Sequence, residues 1–165
     1  MCDIFYLGGT KNGMLYGEAL VIVNDDLRRN FINLQKQKGQ MMAKSFVPAI
    51  NFETVFSKEG GYLEGARHAH EMAKKLASGL ENLGEKLYQE FQSNQVFLEL
   101  EKDRTEKLKE FAAIEVNGHT EDGKDVVRFV TTYRTTEEDI DGVLEEISKT
   151  VSYTHLRAHE TPEHL

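Results

Sequence analysis

Between residues 62 and 83, apolar side chains recur every three or four positions: Leu63, Ala66, Ala69, Met72, Ala73, Leu76, Leu80 and Leu83. That period winds a single stripe along a helix of about six turns. Gly84 follows as its natural stop. A helix of that length with one apolar side has to bury it against another layer, so the rest of the chain must supply strands or helices to receive it.

The second half supplies strands. Residues 96–100 alternate apolar and polar, residues 105–111 read as a short helix, and residues 112–116 read as another strand. Residues 117–125, NGHTEDGKD, form a loop before a strand over 126–132. Residues 135–149 then predict an acid-capped helix with Ile140, Val143, Leu144 and Ile147 facing inward, ending near Lys149. Strand, helix, strand, strand, helix describes a small α/β sandwich, with helices over one face of a mostly antiparallel sheet.

The first half is a different design. Residues 4–7 and 19–23 read as two short strands buried on both sides, an arrangement that two strands and one helix cannot close and that points to a missing N-terminal portion. Asn24, Asp25 and Asp26 cap a helix over residues 26–37, Gly39 interrupts it, and the next helix begins at residues 41–46, with Pro48 near its start. Met41 and Met42 are expected to pack in the core.

Bulk composition excludes several classes. The 165 residues, 39% hydrophobic, suffice for one soluble domain with a real core, or a small domain and a piece of another. The net charge of −8, with no basic run longer than two residues, argues against nucleic acid. No apolar run approaches the roughly 20 residues of a membrane span. Cys2, the single cysteine, cannot form an internal disulfide, and no signal peptide precedes the first strand, so a cytoplasmic protein is expected. No internal repeat is visible. His68 and His70, two apart on the long helix, face different directions and make a shared metal site improbable.

Between the first two strands lies GGTKNG, residues 8–13, with Lys11 among glycines. A phosphate-binding P-loop is excluded, because Asn12 follows the lysine where Ser or Thr is needed and no glycine stands five positions before Gly9. Two readings stay open. Asn12-Gly13 is a strong turn dipeptide, which would make Lys11 an ordinary solvated charge on an exposed hairpin. Small neighbours on both sides would equally leave an amine free to approach a carbonyl and a flat cofactor.

The segment DIFYLGGTKNGMLYGEALVI, residues 3–22, resembles the cofactor-lysine segment of the threonine aldolase and β-eliminating lyase family, pyridoxal-phosphate enzymes of aminotransferase fold type I. The similarity continues through QKGQMMAKS, NFETVF, GGYLEGARHAHEMAKKLASGLENLG and NQVFLEL, and reaches VVRFVTTYRTTEEDIDGVLEEISK, so residues 3 to about 149 are covered in order. The fold this implies is α/β: residues 1–45 end a cofactor-binding large domain, and residues 46–150 form connecting helices and a C-terminal small α/β domain. By the resemblance, Lys11 holds pyridoxal 5'-phosphate covalently, beside Thr10. Arg128 clamps the substrate α-carboxylate, although a solvated strand arginine fits the alternation equally. Lys44 stands, by position, where some relatives place a cofactor-contacting arginine, and a helix-surface lysine is the plain alternative.

The implied reaction is cleavage of threonine or a related β-hydroxy amino acid to glycine and an aldehyde, in a protein that is a homo-oligomer when whole and uses no metal. Relatives carry the phosphate cup, the ring-stacking histidine and the aspartate paired with the pyridinium nitrogen before the lysine segment, and ten residues precede Lys11 here. The chain is therefore expected to be inactive alone. Another β-eliminating lyase or aminotransferase of the same fold is an alternative, and a non-catalytic α/β interaction domain is one of a different class. Finally, residues 151–165, VSYTHLRAHETPEHL, place His155 and His159 at metal-ligand spacing, yet resemble translated sequencing-adapter read-through and are expected to be an artefactual tail.

Overall fold

The computed structural model describes residues 2–57 and 61–158, with side chains to residue 150. Two compact units divide it, Met1–Ala66 and Arg67–Leu165.

In the first unit, β1 (Ile4–Gly8) and β2 (Glu18–Ile22) pair antiparallel, with Ile4 opposite Ile22 and Gly8 opposite Glu18. The expectation of strands buried on both sides is not met. Ile4, Phe5 and Leu20 are exposed and Tyr6 is 70% exposed. Among the described residues no third strand joins this ribbon.

Asn24 caps α1 (Asp25–Arg28), its side chain accepting the Asp26 N–H at 2.9 Å. The single helix expected over 26–37 is broken: Arg29 is extended, Asn30 takes the left-handed conformation with φ 60°, and α2 (Phe31–Gln37) follows. Asparagine is among the few residues that tolerate that conformation. The third helix also starts later than expected, as α3 (Phe46–Ser57). Pro48 is its third residue, where an N–H has no intrahelical partner; a start at residue 41 would have required that missing N–H. Met41 and Met42 consequently stand outside the helix and are exposed, which corrects their assignment to the core.

The long helix is as read from the sequence. α4 (Tyr62–Asn82) buries Ala69, Met72, Ala73, Leu76, Ala77 and Leu80, and Gly84 follows with φ 78°. In the second unit the stripe meets β3 (Gln95–Leu100), α5 (Lys102–Phe111), β4 (Glu115–His119), β5 (Asp125–Val130) and α6 (Glu137–Ala158). The sheet is antiparallel in the order β3-β5-β4. Val96 and Leu98 of β3 and Val127 and Phe129 of β5 join Leu76 and Leu80 of α4, Leu108 of α5, and Ile140 and Ile147 of α6 in one core. Gly79 admits Leu144 to α4, since a Cβ there would stand 2.4 Å from Leu144 Cδ1.

Three boundaries differ from the reading above. β4 begins at Glu115 rather than at residue 112, because α5 occupies the chain to Phe111 and Ala112 still donates its N–H to Leu108 O. The loop shrinks to residues 120–124, closed by the Thr120 N–H on Lys124 O at 2.9 Å and turned by Gly123 with φ 86°. α6 is capped reciprocally. The Thr136 N–H donates to Asp139 Oδ2 at 2.8 Å and the Asp139 N–H to Thr136 Oγ1 at 3.1 Å, a box that holds the Asp139 carboxyl below its ordinary range, chiefly through the backbone N–H. Its backbone continues past Lys149 to Ala158, over a stretch with neither glycine nor proline to stop it. His159 and His164 lie outside the described residues, as does the side chain of His155.

Candidate active site

The lysine turn joins β1 to β2 across residues 9–17. A strand returning antiparallel is not the strand-to-helix passage of a phosphate-binding loop. Neither is it a two-residue hairpin turn on Asn12-Gly13. Thr10–Asn12 form one 3-10 turn, with Gly13 in the left-handed region at φ 91°.

The turn is held from below. Gly9 donates its N–H to Gly17 O at 3.1 Å and accepts from Asn12 N–H at 2.9 Å and Met14 N–H at 3.2 Å, while Asn12 Nδ2 donates to Gly8 O at 3.4 Å. Tyr62 donates its hydroxyl to Gly8 O at 2.8 Å and stacks on Phe56 at 4.7 Å. Met14 is buried directly beneath, and a Cβ on Gly9 would lie 2.5 Å from its sulfur and 2.7 Å from Gly17 O. Gly9→Ala should therefore cost about 1–3 kcal/mol by overpacking. Amide exchange at position 9 and at Met14 checks this: rates unchanged from the parent chain would contradict the fit.

Above this base, Thr10 and Lys11 are exposed, and among the described residues Lys11 has no ion pair. A Cβ added at Gly8 or Gly13 would meet nothing within 4 Å, so open space flanks the lysine on both sides. An exposed amine on a fixed turn with room beside it can form a covalent linkage to a carbonyl compound. Lys44 belongs to the same unit, in a turn over residues 43–45 just before α3 rather than on a helix surface. It too is exposed.

Arg128 lies in the second unit, on the central strand β5. Val127 and Phe129 beside it enter the core, so Arg128 occupies the sheet face turned away from the helices. The register sets it in a row between Phe97 of β3 and Glu115 of β4. Its side chain is 28% exposed, its Nη2 donates to Glu115 Oε2, and its Nε is buried with no hydrogen-bond partner among the described residues. A half-buried guanidinium is unlike an ordinary solvated surface arginine.

The histidines have separate roles. His68 Nε2 contacts Thr135 O at 2.7 Å, and the His70 ring packs on Phe91 at 4.9 Å. No group of three or more His, Cys, Asp or Glu residues is placed to hold a metal among the described residues, and no helix there is long and apolar enough to cross a membrane.

No protein-family model matches the chain. Low-specificity L-threonine aldolases of Pseudomonas aeruginosa and of a Pseudomonas species are 35% and 32% identical to it over 108 residues, which cover 65% of this chain and 31% of theirs. A solved structure of Leishmania major threonine aldolase superimposes with a TM-score of 0.79 and 35% identity, over 90% of this chain and 43% of that one. The chain is similar to threonine aldolases. It spans about a third of the length of the curated relatives it matches. The fold expectation is thereby met: the mixed α/β architecture is a portion of the aminotransferase fold type I that the resemblance implied.

What the threonine aldolase resemblance missed is local support. Met14 and Tyr62 beneath the turn, and Glu115 opposite Arg128, carry no motif of their own. The Glu115 pairing emerges once β4 is set in register, a shift of three residues from the strand read in the sequence.

Proposed function

We propose that residues 3–149 are part of a pyridoxal-phosphate-dependent lyase that cleaves threonine or a related β-hydroxy amino acid to glycine and an aldehyde. The observation that carries this is the exposed Lys11, without an ion pair among the described residues, on its braced glycine turn. The 35% identity to threonine aldolases supports it. Pyridoxal phosphate, when bound, supplies an electron sink for the charge left on the α-carbon when the Cα–Cβ bond breaks.

The chain's own residues do the rest. Lys11 supplies the amine that holds the cofactor and, once displaced by substrate, can carry a proton. Thr10 lies beside it as a hydroxyl contact, and Lys44 is assigned to the cofactor by its place in the sequence alone. Arg128 binds the substrate carboxylate with its planar fork. The reading includes a cytoplasmic homo-oligomer of amino acid metabolism, which the chain by itself does not reconstitute, and residues 151–165 as translated adapter sequence.

A chimera tests it, with residues 3–149 replacing the corresponding stretch of the Leishmania major threonine aldolase, which superimposes over 90% of this chain, and glycine release from L-threonine as the readout. Lys11→Ala should abolish release, and Arg128→Lys should raise KM for threonine about tenfold or more, through loss of a charge-assisted bidentate contact worth roughly 1.5–3 kcal/mol. A folded chimera indifferent to both substitutions would refute the assignment.

A further inference from the structure

A guanidinium can chelate a carboxylate along two edges, Nη1 with Nη2 or Nε with Nη2. Nη2 belongs to both. In this chain Nη2 of Arg128 already donates to Glu115 Oε2, and Nε is buried without a hydrogen-bond partner among the described residues. Nη2 carries one N–H on each edge, so the bond to Glu115 fills a position on one of them, and a carboxylate that chelates Arg128 along that edge takes the place of Glu115. The arrangement is built into the strand pairing, since Glu115 of β4 and Arg128 of β5 are directly opposed in the register. Their shared face is opposite the one from which Val127 and Phe129 enter the core.

We propose that Glu115 is a built-in competitor, a carboxylate that occupies part of Arg128 and competes there with the carboxylate of an incoming ligand. This rests on the reading of Arg128 as a carboxylate site. Glu115 is thus a specificity-determining residue: a neutral or singly hydrogen-bonding ligand does not compete with it effectively, and a carboxylate does. Displacement is mild, because Glu115 is 64% exposed and its released side chain enters water. Exposed ion pairs of this kind shift equilibria by about 1.5- to 5-fold.

The test uses the whole chain and the arginine reagent phenylglyoxal, with labelling followed by peptide mass mapping and the exposed Arg134 as internal reference. Acetate is the carboxylate probe and acetamide its neutral control. Glu115→Gln should speed labelling of Arg128 relative to Arg134 by about 1.5- to 5-fold. It should also lower, by the same factor, the acetate concentration that half-protects Arg128. Glu115→Ala, which removes the acceptor altogether, should do the same, with thermal melts confirming that both variants fold.

Each other outcome decides. Unchanged labelling in both variants overturns the occupation of Arg128 by Glu115. Equal acetate protection in parent and variants overturns the competition while leaving Arg128 a carboxylate site. Faster labelling with no protection by acetate in any chain refutes the carboxylate reading of Arg128, and the competition with it.

Discussion

Replacing Arg104 by methionine should lower the unfolding free energy by about 3 kcal/mol, the low end of the range for breaking a buried ion pair. Arg104 Nη2 and Nη1 donate to the two carboxylate oxygens of Glu85 at 2.5 and 3.2 Å, and its Nε donates to Thr150 Oγ1 at 3.1 Å. The guanidinium so joins α5 to the segment after α4 and to Thr150, within α6. The side chains of Arg104 and Glu85 are 13% and 7% exposed. Removing the cation strands a carboxylate away from water, and that uncompensated charge is the main cost. The paired state itself is less valuable, because both groups were desolvated to form it. Arg104→Met with Glu85→Leu should accordingly recover most of the loss. Urea midpoints followed by circular dichroism check the pair of results; a double variant as unstable as Arg104→Met would contradict the stranded-charge explanation.

Much of the second unit was legible because its signals are periodic. Eight apolar positions on residues 62–83 leave a helix little alternative, and α4 is found over Tyr62–Asn82. The Thr136/Asp139 capping box likewise announces the start of α6. What was illegible depended on single residues at junctions. Asn30 breaks a helix whose apolar stripe runs straight through it, because one left-handed residue outweighs a weak pattern of two turns. Pro48 places the start of α3, and with it the exposure of Met41 and Met42. β4 moved by three residues since strand ends follow pairing partners, and Val116 opposite Val127 is a property of two strands together.

The site divides in the same way. Lys11 was legible as a glycine-flanked lysine, and Arg128 as a charged residue alternating with core positions. Neither the base that supports Lys11 nor the carboxylate that occupies Arg128 was. Gly9 looks like one more flexible glycine until Met14 and the Gly17 carbonyl are found where its side chain would be. Glu115 looks like a solvated charge until the register sets it against Arg128. Such residues act through tertiary geometry, and local composition does not encode them.

The central claim is that Lys11 is a cofactor lysine rather than a turn residue. The chain holds 20 lysines and arginines, and several lysines are committed elsewhere: Lys75 pairs with Asp141 and Glu137, which raise its pKa, and Lys149 pairs with Glu146 and Glu145 to the same effect. An amine held as ammonium is a poor nucleophile, so those lysines are disfavoured for chemical reasons independent of any resemblance. Lys11 has no such partner among the described residues, open space on both sides and a turn held by backbone hydrogen bonds. The measurement is direct. The whole chain is incubated with sub-stoichiometric pyridoxal phosphate, reduced with borohydride to fix any lysine linkage, digested and mapped by mass spectrometry. Most of the label should fall on Lys11, and Lys11→Ala should remove that share without passing it to Lys44. Label spread evenly over the exposed lysines of the parent chain would contradict the account.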